Sequence, residues 1–132
     1  MSDNTHKQAV ILFAHGSRDP LWRRPIEAVA DQIKQISPDN AVACAFLELT
    51  EPDLPSTVAR LIESGVNAIR IVPMFLGVGR HAREDLPLLL KDLIAQYPSV
   101  NFELRKAIGE EPELTLAMAN IALRSMDASN VH

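Results

Sequence analysis

Aromatic side chains are scarce in this 132-residue chain, at 5%. That is too few to build a stacking platform for single-stranded nucleic acid. A basic excess is missing as well. Lys and Arg number 13 against 17 Asp and Glu, a formal net charge of −4, which argues against a nucleic-acid partner. Cysteine is all but absent. The one thiol, Cys44, cannot form a disulfide within the chain and suits a reducing compartment. No apolar run approaches the roughly 20 residues needed to cross a bilayer, so no membrane partner is expected. The polar residues 1–7 and the short apolar run 9–14 lack the pattern of a signal peptide. Together these absences point to the cytoplasm.

What is present is enough for a core. Hydrophobic residues make up 47% and charged residues 23%, the balance of an ordinary globular domain. The length is that of one domain, 1–132, with residues 1–7 and 128–132 as flexible ends. Four apolar runs have strand length: 9–14 (AVILFA), 41–47 (AVACAFL), 68–74 (AIRIVPM) and the weaker 100–104 (VNFEL). The first two are nearly continuous, as in strands buried on both faces. Helical stripes lie between and after them. Residues 25–36 align Ile26, Val29, Ala30, Ile33 and Ile36, and residues 54–64 align Leu54, Val58, Leu61 and Ile62 before Gly65. Residues 86–97 align Leu86, Leu89, Leu90, Leu93 and Ile94, and residues 112–126 align Leu114, Leu116, Met118, Ala119, Ala122 and Leu123.

Strand and helix thus alternate four times. This predicts an α/β fold, a four-stranded parallel sheet flanked by helices on both faces. Right-handed crossovers then place every strand-to-helix loop at one carboxyl edge, where ligands of such folds bind. So small a sheet has an exposed edge that a second subunit could cover.

Two segments at that edge carry chemistry. The first is Ala14-His15-Gly16-Ser17-Arg18-Asp19-Pro20, directly after the first strand. His15 emerges where a ligand can reach it, Gly16 permits a tight turn, and Ser17 and Asp19 are candidate caps for the next helix. The second runs from Pro73 to Pro87 (PMFLGVGRHAREDLP) after the third strand. It sets His81 in the loop or in a first helical turn, with Asp85 as a plausible cap for a helix starting near Leu86. Met74, Phe75 and Leu76 are apolar where a loop should be polar, which suits a flat apolar ligand or burial under a helix. Gly77 and Gly79 make the loop compliant, but neither a P-loop nor a dinucleotide fingerprint is spelled.

Glu48 follows the second strand. His15, His81 and Glu48 are a sensible partial ligand set for a borderline divalent ion such as Co²⁺, Ni²⁺, Fe²⁺ or Zn²⁺, with positions left open. Five of the nine arginines fall in 18–24 and 80–83. Arg18, Arg80 and Arg83 flank the histidines and suit carboxylates, while Arg23 and Arg24 read as a solvated helix face. A histidine phosphatase would need an Arg directly before its His-Gly pair; Ala14 stands there instead.

In their order and spacing, AHGSRDP, FLE and PMFLGVGRHAREDLP resemble the short, single-domain sirohydrochlorin cobaltochelatase family, the small class II chelatases of the cobalamin, sirohaem and nickel-tetrapyrrole pathways. The resemblance runs from about Val10 to about Gly109. It implies a flavodoxin-like chelatase fold and a lyase-type enzyme. The implied reaction inserts a divalent metal, Co²⁺ or alternatively Ni²⁺ or Fe²⁺, into sirohydrochlorin with loss of two pyrrole protons, without an organic cofactor. It implies a homodimer, because longer relatives look like two such units fused. The family's metal-binding histidines match His15 and His81, and its second-strand acid matches Glu48. Ser17, Arg18, Phe75, Leu76, Gly77, Arg80 and Arg83 are the expected substrate contacts. A non-catalytic metal or tetrapyrrole carrier of the same fold is the alternative.

Overall fold

A computed structural model describes residues 6–125. Four strands form its centre: β1 (Gln8–Ala14), β2 (Ala41–Phe46), β3 (Ala68–Pro73) and β4 (Asn101–Leu104). They pair in the order β2-β1-β3-β4, parallel throughout. Ile11, Leu12, Phe13 and Ala14 are all buried, so β1 is covered on both faces as its continuous run required, whereas β2, at the sheet's edge, is fully buried only at Ala45 and Phe46. Four helices connect or follow the strands: α1 (Arg24–Ile36), α2 (Leu54–Glu63), α3 (Arg80–Gln96) and α4 (Pro112–Ala122), the last preceded by a short 3₁₀ turn at Ile108–Glu110. The expected α/β architecture is therefore the one observed.

The main core lies on one face of the sheet. Ile11, Phe13, Ala45, Ile69 and Ile71 meet Leu54, Val58 and Leu61 of α2 and Ala82, Leu86 and Leu93 of α3. Strand alternation turns Leu12 and Ala14 to the opposite face, where α1 covers β2 and β1. Crossovers that shift toward β2 and toward β4 must lie on opposite faces, which is why α1 is alone on its side.

The elements depart from expectation in instructive places. Pro87 is easiest to accommodate in a first turn, which suggested a helix starting near Leu86 with Asp85 as cap. Instead α3 begins at Arg80 behind Gly79 and carries Pro87 in its interior. Ala82 and Leu86, four residues apart, are both buried, and that shared apolar contact outweighs the N–H that proline lacks. Helix α1 starts behind Arg23 with no side-chain cap, so Ser17 and Asp19 do not cap it. Helix α4 buries none of its residues, although its apolar content suggested a core stripe; Met126 and residues 128–132, His132 among them, lie outside the described residues. His6 and Lys7, expected in a flexible end, are tied down. The His6 ring donates from Nε2 to the Pro38 carbonyl at 3.0 Å, and the Lys7 carbonyl accepts from Asn67 N–H at 2.9 Å.

Candidate functional site

The carboxyl edge is built by two loops zipped together. After β1 and β2 stop pairing as strands, Leu47 N–H still donates to the Ala14 carbonyl (2.8 Å) and Glu48 N–H to the His15 carbonyl (2.9 Å). One step further, the Thr50 hydroxyl donates to the Ser17 carbonyl (2.6 Å) while its oxygen accepts from Ser17 N–H (2.9 Å). Gly16 is what allows this approach. Its φ is +106°, and a Cβ there would collide with the Glu48 carbonyl. A side chain at position 16 is thus excluded twice, by conformation and by space.

His15 rises from this platform, exposed, with its ring resting on Phe75. The two ring centroids are 4.3 Å apart at an interplanar angle of 34°. Phe75 is itself 2% exposed and meets Phe13 edge-on at 6.2 Å. The expectation that Phe75 touches a ligand is therefore corrected: the ring fills the core and supports the imidazole from below. Its backbone carbonyl takes a hydrogen bond from Gly109 N–H (2.9 Å), and Gly109 lies so close that a Cβ there would strike the Leu76 backbone.

The β3 loop supplies the other half. Leu76 is 67% exposed, and Gly77 and Gly79 have open space around them. Arg80, His81 and Arg83 all lie in the first turn of α3, exposed, and that turn carries no acidic residue and no side-chain cap. The positive end of the helix dipole is thus stacked with further positive charge, a local arrangement that a bound anion would relieve. Arg80 leans on Glu84, one turn along (3.2 Å). Arg18 and Arg83 form no ion pair among the described residues, whereas Arg23 pairs with Glu27 at 3.1 Å, as a solvated helix face should.

The Ser17 hydroxyl is engaged locally, accepting from Asp19 N–H at 3.1 Å, and Asp19 in turn accepts from Leu21 N–H at 2.9 Å. Both shape the turn ahead of α1. Glu48 is exposed on the zipped loop. Among the described residues, no group of three or more His, Cys, Asp or Glu side chains is gathered closely enough to hold a metal ion. The structure therefore leaves His15 on the β1 loop, Glu48 on the β2 loop and His81 in the first turn of α3, without assembling them into a cage. Asp53, at the far end of the same loop, accepts from Ser56 N–H (2.9 Å) and caps α2; the Ser56 side chain first, and this N–H second, hold its carboxyl below the usual aspartate range by hydrogen bonding.

Sequence reasoning missed Thr50 and Gly109. Nothing in a single sequence marks a threonine as the tie between two loops, and the tight fit of Gly109 exists only once β4 lies beside β3.

The CbiX family model matches residues 9–124. The chain belongs to the CbiX family. Its match spans both histidine loops and runs on through α4. Over 82 residues it is 39% identical to a sirohydrochlorin cobaltochelatase from Methanopyrus kandleri, covering 62% of this chain and 57% of that protein. The chain thus spans less than two thirds of the length of such curated relatives. Among solved structures, a putative cobalamin biosynthesis CbiX protein from Marinobacter aquaeolei VT8 superimposes with a TM-score of 0.76 at 36% identity, over 87% of this chain and 93% of that one. The sirohydrochlorin chelatase SirB from Bacillus subtilis subspecies spizizenii, solved with cobalt, gives a TM-score of 0.72 at 29% identity, over 88% of this chain and 51% of that one.

Proposed function

We propose that this CbiX-family chain is a sirohydrochlorin metallochelatase. It would insert a divalent ion, Co²⁺ foremost and Ni²⁺ or Fe²⁺ as alternatives, into the macrocycle. The observation that carries the reading is the exposed His15 imidazole, propped on Phe75 beside a helix start loaded with Arg80, His81 and Arg83. The names of the relatives point to the same chemistry.

In this reading the metal is a substrate. The dispersed donors hold it loosely, which is what delivery requires, since a closed site would keep the ion. His15 and His81 ligate the ion in passing, and an imidazole nitrogen with a free lone pair takes up protons the macrocycle releases. The balance is one divalent ion in and two pyrrole protons out, with no electron transferred and no organic cofactor needed. Arg18, Arg80 and Arg83 grip the macrocycle's rim carboxylates, Leu76 and Gly77 lie against the ring, and the half-turn around Ser17 holds Arg18 in place. Glu48 serves as a second proton acceptor. The place of work is the cytoplasm, a reading supported by the unpaired Cys44 thiol; no helix among the described residues is long and apolar enough to cross a membrane.

The test mixes purified protein, sirohydrochlorin and each of Co²⁺, Ni²⁺ and Fe²⁺, and follows the macrocycle's absorption spectrum. Insertion well above the spontaneous rate is expected with at least one metal. Macrocycle binding without acceleration would make the chain a carrier instead.

The working unit is a homodimer in which a second copy covers α4. The β3–β4 half of the α1 face leaves Arg70 and Glu103 exposed, paired to each other at 2.7 Å. Helix α4 presents Leu116, Met118 and Ile121 to solvent, with only Leu114 of its residues partly covered. A helix lacking a surface and a surface lacking a helix are satisfied together by a second copy.

A further inference from the structure

Leu49 is out of place by every rule that governs folding. Thr50 N–H donates to the Glu48 carbonyl at 2.8 Å, closing a three-residue turn with Leu49 at its centre. Its φ is +64°, and it is the one non-glycine residue with positive φ among the described residues. Glycine or asparagine adopts such a backbone readily; a branched apolar side chain does so at a cost. Burial could offset that cost, yet Leu49 is 56% exposed. Neither backbone preference nor core packing therefore accounts for a leucine here.

The strain persists because both ends of the turn are held by the His15 loop. Glu48 is bonded to His15, and Thr50 is bonded twice to Ser17. A conformation over-determined in this way, beside candidate reactive groups, is the pattern of a side chain held in position for a ligand. Two further leucines suit an apolar one. Leu47 on the same loop is also exposed, as is Leu76 on the β3 loop across the edge. Leu47, Glu48 and Leu49 wall an open cleft of about 540 Å³ that reaches the first turn of α2. Thr50 and Ser56 also line it, together with the carboxylates of Glu48, Glu51 and Asp53. The carboxylates turn anionic groups away, toward the arginines of the β1 and β3 loops, and leave the leucines to an apolar surface.

We infer that Leu49 is a substrate-binding residue, the apolar rest on which the flat face of the macrocycle lies while its carboxylates reach the arginines. This rests on the macrocycle reading above. The strained turn fixes the height of the ring relative to His15, so Leu49 governs affinity and lets the imidazole govern turnover.

The experiment compares wild type with L49N and L49M. Binding of metal-free sirohydrochlorin is followed by absorbance titration, insertion kinetics are measured, and melting temperature is recorded. Asparagine relieves the backbone and removes the apolar surface; methionine keeps the surface. L49N is expected to melt at or above the wild-type temperature, to bind sirohydrochlorin about tenfold more weakly, and to raise KM with kcat little changed. L49M is expected to bind like wild type. Wild-type affinity in L49N would overturn the inference, and so would a melting temperature several degrees lower, which would make Leu49 structural. A wild-type protein that binds no sirohydrochlorin would instead overturn the macrocycle reading itself, and this inference with it.

Discussion

Gly16 and His15 are adjacent, and their roles differ in kind. His15 supplies an imidazole; Gly16 supplies the backbone path that lets the β1 loop zip to Glu48. Replacing Gly16 by alanine should cost roughly 1–3 kcal/mol of stability from the positive φ alone, and more from the collision with the Glu48 carbonyl. Urea denaturation would measure this, and insertion activity should fall in parallel because the His15 platform shifts. His15→Ala and His81→Ala should each remove most of the metal-insertion rate while leaving the denaturation midpoint close to wild type, since both side chains are exposed. If both variants keep full rate, the roles assigned to the two imidazoles are wrong. The histidines, glycines and arginines of the edge were legible in the sequence because strand ends and residue order place them there. Phe75 was not. An apolar residue after a strand reads alike whether a ligand or the core covers it, and only the packing of Phe13 and α3 decides.

Helix boundaries follow from competition between local preference and burial. In α3 burial of Ala82 and Leu86 wins over Pro87, so Pro87→Ala restores a backbone donor in an exposed stretch. It should stabilise the protein by about 1–3 kcal/mol, read as a higher denaturation midpoint with insertion activity kept. In α2 the local signal wins, because Asp53 caps the helix through Ser56. Asp53→Ala should cost about 1 kcal/mol. The sign of its pH dependence follows from the depressed pKa. The cap contributes fully above the ordinary aspartate range and is lost as pH falls through the lowered value. The difference between wild type and Asp53→Ala should therefore shrink in acid, which thermal melts across roughly pH 2–6, where carboxylates titrate, would check. Strands were read to within a residue or so at either end, since apolar runs end where turn residues begin. The start of α3 was missed by six residues, as the interval from Arg80 to Leu86 shows.

The molecule as a whole is asymmetric in its layers, full on the α2–α3 face and half covered on the other. The sequence predicted helices on both faces correctly, but could not say that α4 would bury nothing, because a helical stripe declares that it wants a partner without saying whose. If a second copy covers α4, light scattering after gel filtration should give twice the 14.6 kDa chain mass. A Leu116→Gln, Ile121→Gln double variant should run as a monomer. An isolated helix of 11 residues is marginal in water. The order of α4 should then obey mass action, so that dilution alone frays it and lowers the melting temperature. Cellular abundance would in that case act as a regulator, with scarce protein spending more of its time unassembled and idle.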